Sequence, residues 1–368
     1  FCDVASTDKL AGALEFLGAP IKERTDARRQ LKTDEEHLEG VRAWNPDLVD
    51  AILFYRHYRK LSGYAHSYAD LTDAQGVLHP QLVQAGHGEE TSDTSSNAPV
   101  TGRLSCRSPN LQNQPHKGRG GAYATLVAKW GQRLRRCLIA RPGYAFLSAD
   151  VGQEEPRIWA FLEQDKEMLA DFAAGLQPYG PIGEAIYGRP IDKKRDPHEW
   201  MIAKTYFLGR LYGSRPEKLL EEDPTLTERQ VQSADAAILR RYPGLGRYYY
   251  KTMRAVQRDG QVRDWFGRVR KLYKIYNGRK EEKEAAYREA ANMLIQGPAA
   301  SVIKVWMRRV RDKMLQYKID GHLVMSVHDE VILEVAERDL ERAAAVLYDT
   351  IKGIMPIDFP IDVKAGKN

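Results

Sequence analysis

The sequence predicts an α+β protein in which a small sheet is split around a long helical insertion. Three observations carry this. Strand-like apolar runs occur at 145–149, 323–327 and 331–335, and residues 160–315 between them follow a mainly helical period. A further helical region, 8–72, precedes the first strand, so the strands flank helices as two separated groups.

Taken in order, Leu10, Leu14 and Leu17 share one helical face, and Leu48, Ile52, Tyr55 and Leu61 continue the pattern across 8–72. Residues 85–97 (AGHGEETSDTSSN) are a loop by composition. Breaks in the helical block are expected at 177–183, at Tyr242-Pro243-Gly244 and in the basic stretch after Gly260. The runs 323–327 and 331–335 are separated by His328-Asp329-Glu330, which predicts a hairpin with acids at its turn. No internal repeat is present.

The 368 residues suit two or three lobes, and 43% hydrophobic with 29% charged residues is ordinary for a folded chain. No apolar run approaches the roughly 20 residues a bilayer span needs, so no membrane partner is expected. Cys2, Cys106 and Cys137 are odd in number and far apart, which argues against a disulfide framework or a zinc knuckle and fits a reducing compartment. Phe1-Cys2-Asp3-Val4 has no initiator Met or signal pattern and reads as a cut point. The net charge of +6 suggests a polyanionic partner. Arg263, Arg268, Arg270, Lys271, Lys274, Arg279, Lys280 and Lys283 crowd one stretch that reads equally as a solvated basic loop.

Asp150 ends the first strand-like run and Asp329 lies at the hairpin turn, so both can face a cleft from the ends of one sheet. Hard divalent cations take oxygen ligands, and two such aspartates could hold two Mg²⁺ ions about 3.5–4 Å apart. Either acid alone reads as readily as a turn former or a solvated group.

Residues 199–213 place Lys204, Leu208 and Tyr212 four apart on one helical side, presenting a cation, an apolar wall and a ring. These suit the phosphates, sugar and base of a nucleotide. Gly213 can end this helix. An ordinary amphipathic helix with a snorkelling lysine gives the same pattern. Arg288, Asn292 and Gln296 repeat the spacing and are closed by Gly297. Three long polar side chains there suit the acceptors of a duplex minor groove, or simply a solvated face.

In order along nearly the whole chain, these segments resemble the DNA polymerases of family A, the group of bacterial DNA polymerase I and many phage replicases. Thr101-Gly102-Arg103-Leu104-Ser105 and Pro109-Asn110-Leu111-Gln112-Asn113 resemble the family's duplex-contacting segment. Asp150 through Arg157 resembles motif A, Lys204 through Gly213 motif B, and Val327-His328-Asp329-Glu330 motif C.

The resemblance implies a right-hand fold with an antiparallel palm sheet, helical fingers and a short helical thumb. Thumb is then 1–72, palm 73–165 with motif A, fingers 166–285 with motif B, and the second part of the palm 286–368 with motif C. It implies a DNA-templated DNA polymerase that adds dNTPs to a primer 3′-hydroxyl with two Mg²⁺ ions, for which Mn²⁺ can substitute. This metal pairing is already general among polymerases.

Metal ligands are then Asp150, Asp329 and the Val151 carbonyl, with Lys204 and Glu330 completing the catalytic set. The nucleotide falls to Gln153, Glu155, Arg157, Tyr179, Leu208 and Tyr212, with Glu155 excluding ribose. Primer–template DNA falls to Arg103, Asn110, Gln112, Arg288, Asn292, Gln296 and His328. An exonuclease or other replication domain is expected upstream, and the cytoplasm of a bacterial or phage-infected cell as the compartment. A single-subunit RNA polymerase and an inactive duplex-binding scaffold are the alternatives.

Departures from the family pattern are Pro156 in motif A, Trp200 where motif B has Arg, and Leu208 where an aromatic is usual. Arg195 or His198 is the expected substitute for the missing cation. Tyr179 stands where bacterial members carry His, and with Leu208 it leans toward phage-type members.

Overall fold

The structure, a computed structural model, describes residues 3–4, 6–25, 29–84, 100–115 and 124–368, and the side chains of all of these except 124–127. The loop expected at 85–97 lies outside the described residues. The chain divides into two compact units, 1–82 with 106–141 and 367–368, and 83–105 with 142–366.

The first unit is helical: α1 (Thr7–Phe16), α2 (Glu35–Gly40), α3 (Pro46–Leu71) and α4 (Ala124–Arg135). Side chains at their starts satisfy otherwise unpaired amides. Ser6 accepts from the Lys9 N–H at 3.4 Å, Asp34 from His37 at 3.2 Å and Asn45 from Leu48 at 3.1 Å. Leu10, Leu14, Leu38, Val49 and Ile52 form the core of this unit. The continuous helical reading of 8–72 is therefore corrected to three helices. Gly18, in the left-handed region at φ +72°, and Pro20 stop the first, and an Arg24–Leu31 bridge occupies the gap. Leu17 caps α1 beyond its last packed turn and is 52% exposed, and Tyr55 is also exposed, so neither joins that core. Two short strands, β1 (Gln81–Val83) and β2 (Ser105–Arg107), span the points where the chain passes from one unit to the other.

The second unit begins with β3 (Tyr144–Val151) and the helices α5 (Glu154–Glu163), α6 (Lys166–Ala173), α7 (Tyr179–Tyr187) and α8 (Pro197–Leu211). It continues through α9 (Leu219–Glu222), α10 (Glu228–Arg241) and α11 (Pro243–Asp259) to a ribbon of β4 (Gln261–Arg263) and β5 (Val269–Lys271). Then come α12 (Lys274–Asn277), α13 (Lys280–Gln316), the hairpin β6 (Gly321–Val327) and β7 (Glu330–Ala336), α14 (Leu340–Thr350) and β8 (Ile361–Gly366).

The sheet is antiparallel with order β6-β7-β3-β8. Along β3 the buried residues are Ala145, Leu147, Ala149 and Val151, which alternate as a strand with one covered face requires. Leu147, Ala149 and Val151 pack with Trp306 of α13 and Leu347 of α14. The period of two therefore turns Asp150 to the other face, with Phe146 and Ser148. A second core joins Trp159, Ile182, Phe207, Leu211, Ile238 and Tyr248 from α5, α7, α8, α10 and α11.

Four expectations are corrected here. The break at 177–183 narrows to the residues before Tyr179, because Pro178 starts α7 instead of ending a helix. The basic stretch is not a free loop: β4 and β5 pair within it, Arg270 meets Glu289 at 2.6 Å, and Arg268 bonds three protein oxygens. Gly297 does not close its helix, since α13 runs through it and through Pro298 to Gln316. A Cβ at Gly297 would stand 2.6 Å from Asp264 Oδ2, so glycine serves close packing there. Finally, β8 was not foreseen, because a short Ile-Asp-Val-Lys alternation carries little signal until it pairs with β3.

Candidate active site

Asp150 pairs in register with Glu330, and the turn of the β6–β7 hairpin consists of His328 and Asp329 after the last pair, Val327 with Glu330. The Val151 N–H donates to the Asp329 carbonyl at 3.2 Å, fastening the turn beside the end of β3. Two acids 179 positions apart in sequence thus share one sheet end. Glu330 lies in β7 and not in the turn, a one-residue correction to the expected hairpin.

Burial, and then the charges of Asp329 and Glu330, raise the Asp150 carboxyl to about 6. Burial likewise raises Asp329, against the opposing pull of Arg103 and His328. A buried carboxylate raised further by neighbouring acids is one that a cation relieves. Among the described residues no cluster of three or more His, Cys, Asp or Glu could hold a metal. Two carboxylates completed by backbone and ligand oxygens nevertheless fit Mg²⁺, which keeps water and phosphate in its shell.

Two non-glycine residues in the left-handed region flank these acids, His328 and Gln153, both at φ +57°. Such backbone costs on the order of 1–3 kcal/mol and persists only where the surroundings fix it. Gln153 begins α5, and its Oε1 is buried without a hydrogen-bond partner. The next residue, Glu154, is 3% exposed with Oε1 also unpartnered. Burial, then the charge of Asp329, holds its carboxyl far above the usual range. Sequence reasoning passed over Glu154; no local pattern distinguishes it from Glu155 at a helix start.

Glu155 accepts from both Arg103 and Tyr212. Gln296 stands close enough to Tyr212 to pull its phenol back toward the usual range. Burial, then the Glu155 charge, drives the Tyr212 phenol upward and keeps it a donor. Three residues expected at the site thus form one hydrogen-bonded chain, Arg103–Glu155–Tyr212, with Gln296 beside Tyr212. Pro156 does not disturb it: as the third residue of α5 it sits where the amide has no intrahelical partner to lose.

Lys204 is exposed on α8, Leu208 packs its side chain against the helical core, and Tyr212 caps the helix. Arg288 is exposed on α13, while Asn292 is half-buried with an unpartnered Oδ1. His328 is exposed at the hairpin tip.

The remaining expected residues have surroundings of their own. Tyr179 is 5% exposed, edge-on to Trp200 at 5.8 Å and Phe207 at 5.9 Å, so its ring belongs to the helical core. Arg157 bonds the Gly152 and Asp358 carbonyls at 3.2 and 3.3 Å and stacks over Phe172. Arg195 pairs with Asp196 at 3.1 Å, and His198 is exposed. Asn110 and Gln112 belong to the first unit, where Asn110 Oδ1 accepts from the Gln112 and Asn113 amides at 3.1 and 3.2 Å. Among the described residues no helix is long and apolar enough to cross a membrane.

Among known proteins, a thermostable DNA polymerase I of Thermus thermophilus is 30% identical over 369 aligned positions, covering 98% of this chain and 41% of that protein. DNA polymerase I of Mycobacterium tuberculosis is 30% identical and is covered over 36% of its length. The chain thus spans less than half the length of these relatives. The POL domain of Pol1 from M. smegmatis, solved in complex with DNA primer-template and dNTP, matches 99% of the chain and 61% of its own with a TM-score of 0.82 at 23% identity. That likeness shows the fold to be that of a polymerase domain, mixed helix and antiparallel sheet. The profile of DNA polymerase family A matches residues 2–368, and the chain belongs to that family.

Proposed function

We propose that this chain is the polymerising portion of a DNA-templated DNA polymerase, adding dNTPs to the 3′-hydroxyl of a primer paired to its template. The observation that carries the reading is the meeting of Asp150 with Asp329 at one sheet end, where burial and the Asp329 charge raise the Asp150 carboxyl. The relatives named DNA polymerase I support it. Their bacterial origin supports work in the cytoplasm of a bacterial or phage-infected cell.

Asp150, Asp329 and the Val151 carbonyl would hold two Mg²⁺ ions, replaceable by Mn²⁺, which lower the primer hydroxyl's pKa and neutralise charge on the leaving phosphates. Lys204 faces solvent on α8 and is assigned to the triphosphate, where its ammonium steadies developing negative charge and donates a proton to the leaving group. Glu155, fixed between Arg103 and Tyr212, stands against the sugar and excludes a 2′-hydroxyl. Leu208 and Tyr212 shape the nascent pair. His328 and Arg103 position the primer end, and Arg288, Asn292 and Gln296 follow the duplex behind it. Thumb 1–72, fingers 166–285 and palm 73–165 with 286–368 remain our assignment of the hand.

Primer extension with a labelled primer–template, Mg²⁺ and dNTPs or rNTPs in parallel tests the reading. Wild type should extend with dNTPs, and Asp329→Asn should lose about 10³-fold or more in rate while binding duplex normally. Extension by Asp329→Asn at the wild-type rate refutes the metal assignment. Preference for rNTPs identifies an RNA polymerase, and duplex binding without extension identifies a scaffold.

A further inference from the structure

Arg268 does something that its place in a basic stretch does not announce. Its guanidinium donates to the Thr101 carbonyl at 2.8 Å, to the Gly297 carbonyl at 3.2 Å and to Ser301 Oγ at 3.1 Å. Ser301 in turn donates to the same Gly297 carbonyl at 3.1 Å. The arginine is itself seated by Asp264, whose carboxylate accepts from the Arg268 N–H at 2.8 Å and lies 3.6 Å from its guanidinium.

Two glycines make room for this assembly. At Gly102, with φ +81°, a Cβ would stand 2.6 Å from the Arg268 guanidinium carbon. At Gly297 it would stand 2.6 Å from Asp264 Oδ2. The arginine is thus wedged between the Thr101-Gly102 backbone and the part of α13 that follows Gln296. Arg103, the residue after Gly102, bonds Glu155, which Tyr212 also bonds, and Gln296 of α13 stands beside Tyr212. The carbonyls that Arg268 holds therefore lie two residues before Arg103, at Thr101, and one residue after Gln296, at Gly297.

We propose that Arg268, seated by Asp264, is a positioning residue that sets the sugar-excluding gate from outside it. It does so by fixing the Thr101-Gly102 turn to α13, so that Arg103 and Tyr212 hold Glu155 in one place. The proposal rests on the polymerase reading above. Arg268 touches no reacting group; it acts through Arg103. A planar guanidinium serves three oxygens at once, which a lysine ammonium on a flexible stem does not reproduce.

The test is a cycle of Arg268→Met, Arg103→Ala and the double variant, with Arg268→Lys alongside. Each is assayed on a primer–template with a dNTP and the matched rNTP in Mg²⁺. Arg268→Met should lower dNTP-over-rNTP selectivity about 10-fold, through kcat more than KM, because small displacements of a positioned group cost that order in rate. The double variant should be no less selective than Arg103→Ala alone, and Arg268→Lys should not restore selectivity. Should Arg268→Met not fold, Arg268→Lys takes its place in the cycle.

Additive losses in the double variant, or full selectivity in Arg268→Lys and Arg268→Met, overturn the proposal. So does a defect confined to duplex affinity, which would make Arg268 a phosphate contact. A wild-type chain that extends no primer overturns this proposal together with the polymerase reading. A wild type that extends beside fully selective variants overturns this proposal alone.

Discussion

Replacing Gly213 with alanine puts the end of helix α8 under two separate strains that experiment can resolve. Gly213 follows Tyr212 with φ +85°, in the left-handed region, where an L side chain costs about 1–2 kcal/mol. Its added Cβ would also stand 2.5–2.8 Å from three ring atoms of Tyr249 on α11, closer than carbon atoms pack. Overpacking of that kind costs about 1–3 kcal/mol. Tyr249 is half-buried on the wall of a cavity of about 990 Å³, so its ring has room to swing and the steric part should fall near the lower bound. The sum is about 2–3 kcal/mol, measured as the loss in urea unfolding free energy. The same substitution in a Tyr249→Ala background should cost only the backbone part, about 1–2 kcal/mol. Equal costs in the two backgrounds would refute the steric argument, and a cost below about 1 kcal/mol in both would refute the conformational one. Primer extension should slow in Gly213→Ala as well, since Tyr212 at the preceding position bonds Glu155.

Two further predictions concern selectivity and pH. Glu155→Ala should admit ribonucleotides about 10-fold or more readily, as loss of a fixed excluding group does; unchanged dNTP-over-rNTP ratios in extension assays would remove Glu155 from the sugar. In the first unit, the Asp34 hydrogen bond at 2.7 Å, together with Glu23 at 3.3 Å, raises His37 above its ordinary 6.5. A raised histidine contributes stability that is complete below pH 6.5 and is lost as pH climbs through the folded value. Urea midpoints should therefore fall modestly on going from pH 6 toward pH 8, and His37→Gln should flatten that slope; an unchanged slope would show that other groups carry it.

Much of the site was legible in the sequence because its chemistry is written in local strings. Asp150 ends an apolar run, Asp329 sits in a His-Asp turn, and Lys204, Leu208 and Tyr212 keep one helical spacing. These patterns report short-range physics, the strand period of two and the helix period near four, so strand and helix positions followed from them. Residues whose meaning depends on distant partners were not legible. Nothing local distinguishes Tyr179, which packs on Trp200 and Phe207, from a ring on an open surface. Arg157 reads as a free cation until the Asp358 carbonyl arrives from 201 positions away.

The sequence by itself determined the class of fold and the order of the motifs, and it placed Asp150 at a strand end and Asp329 at a turn, since strand ends and turn residues are set by neighbours a few positions apart; their pairing as a candidate site came from the ordered family resemblance. Only the tertiary structure decided that Glu154 is buried beside those acids with an unpartnered oxygen, that β8 closes the sheet next to Asp150, and that Gly297 lies within a helix that continues for 19 residues beyond it. It alone turned Arg268 from one cation among eight in a basic stretch into a three-way tie between the Thr101-Gly102 turn and α13. Burial, register and close approach are properties of pairs of residues far apart along the chain, and no window of sequence contains both members.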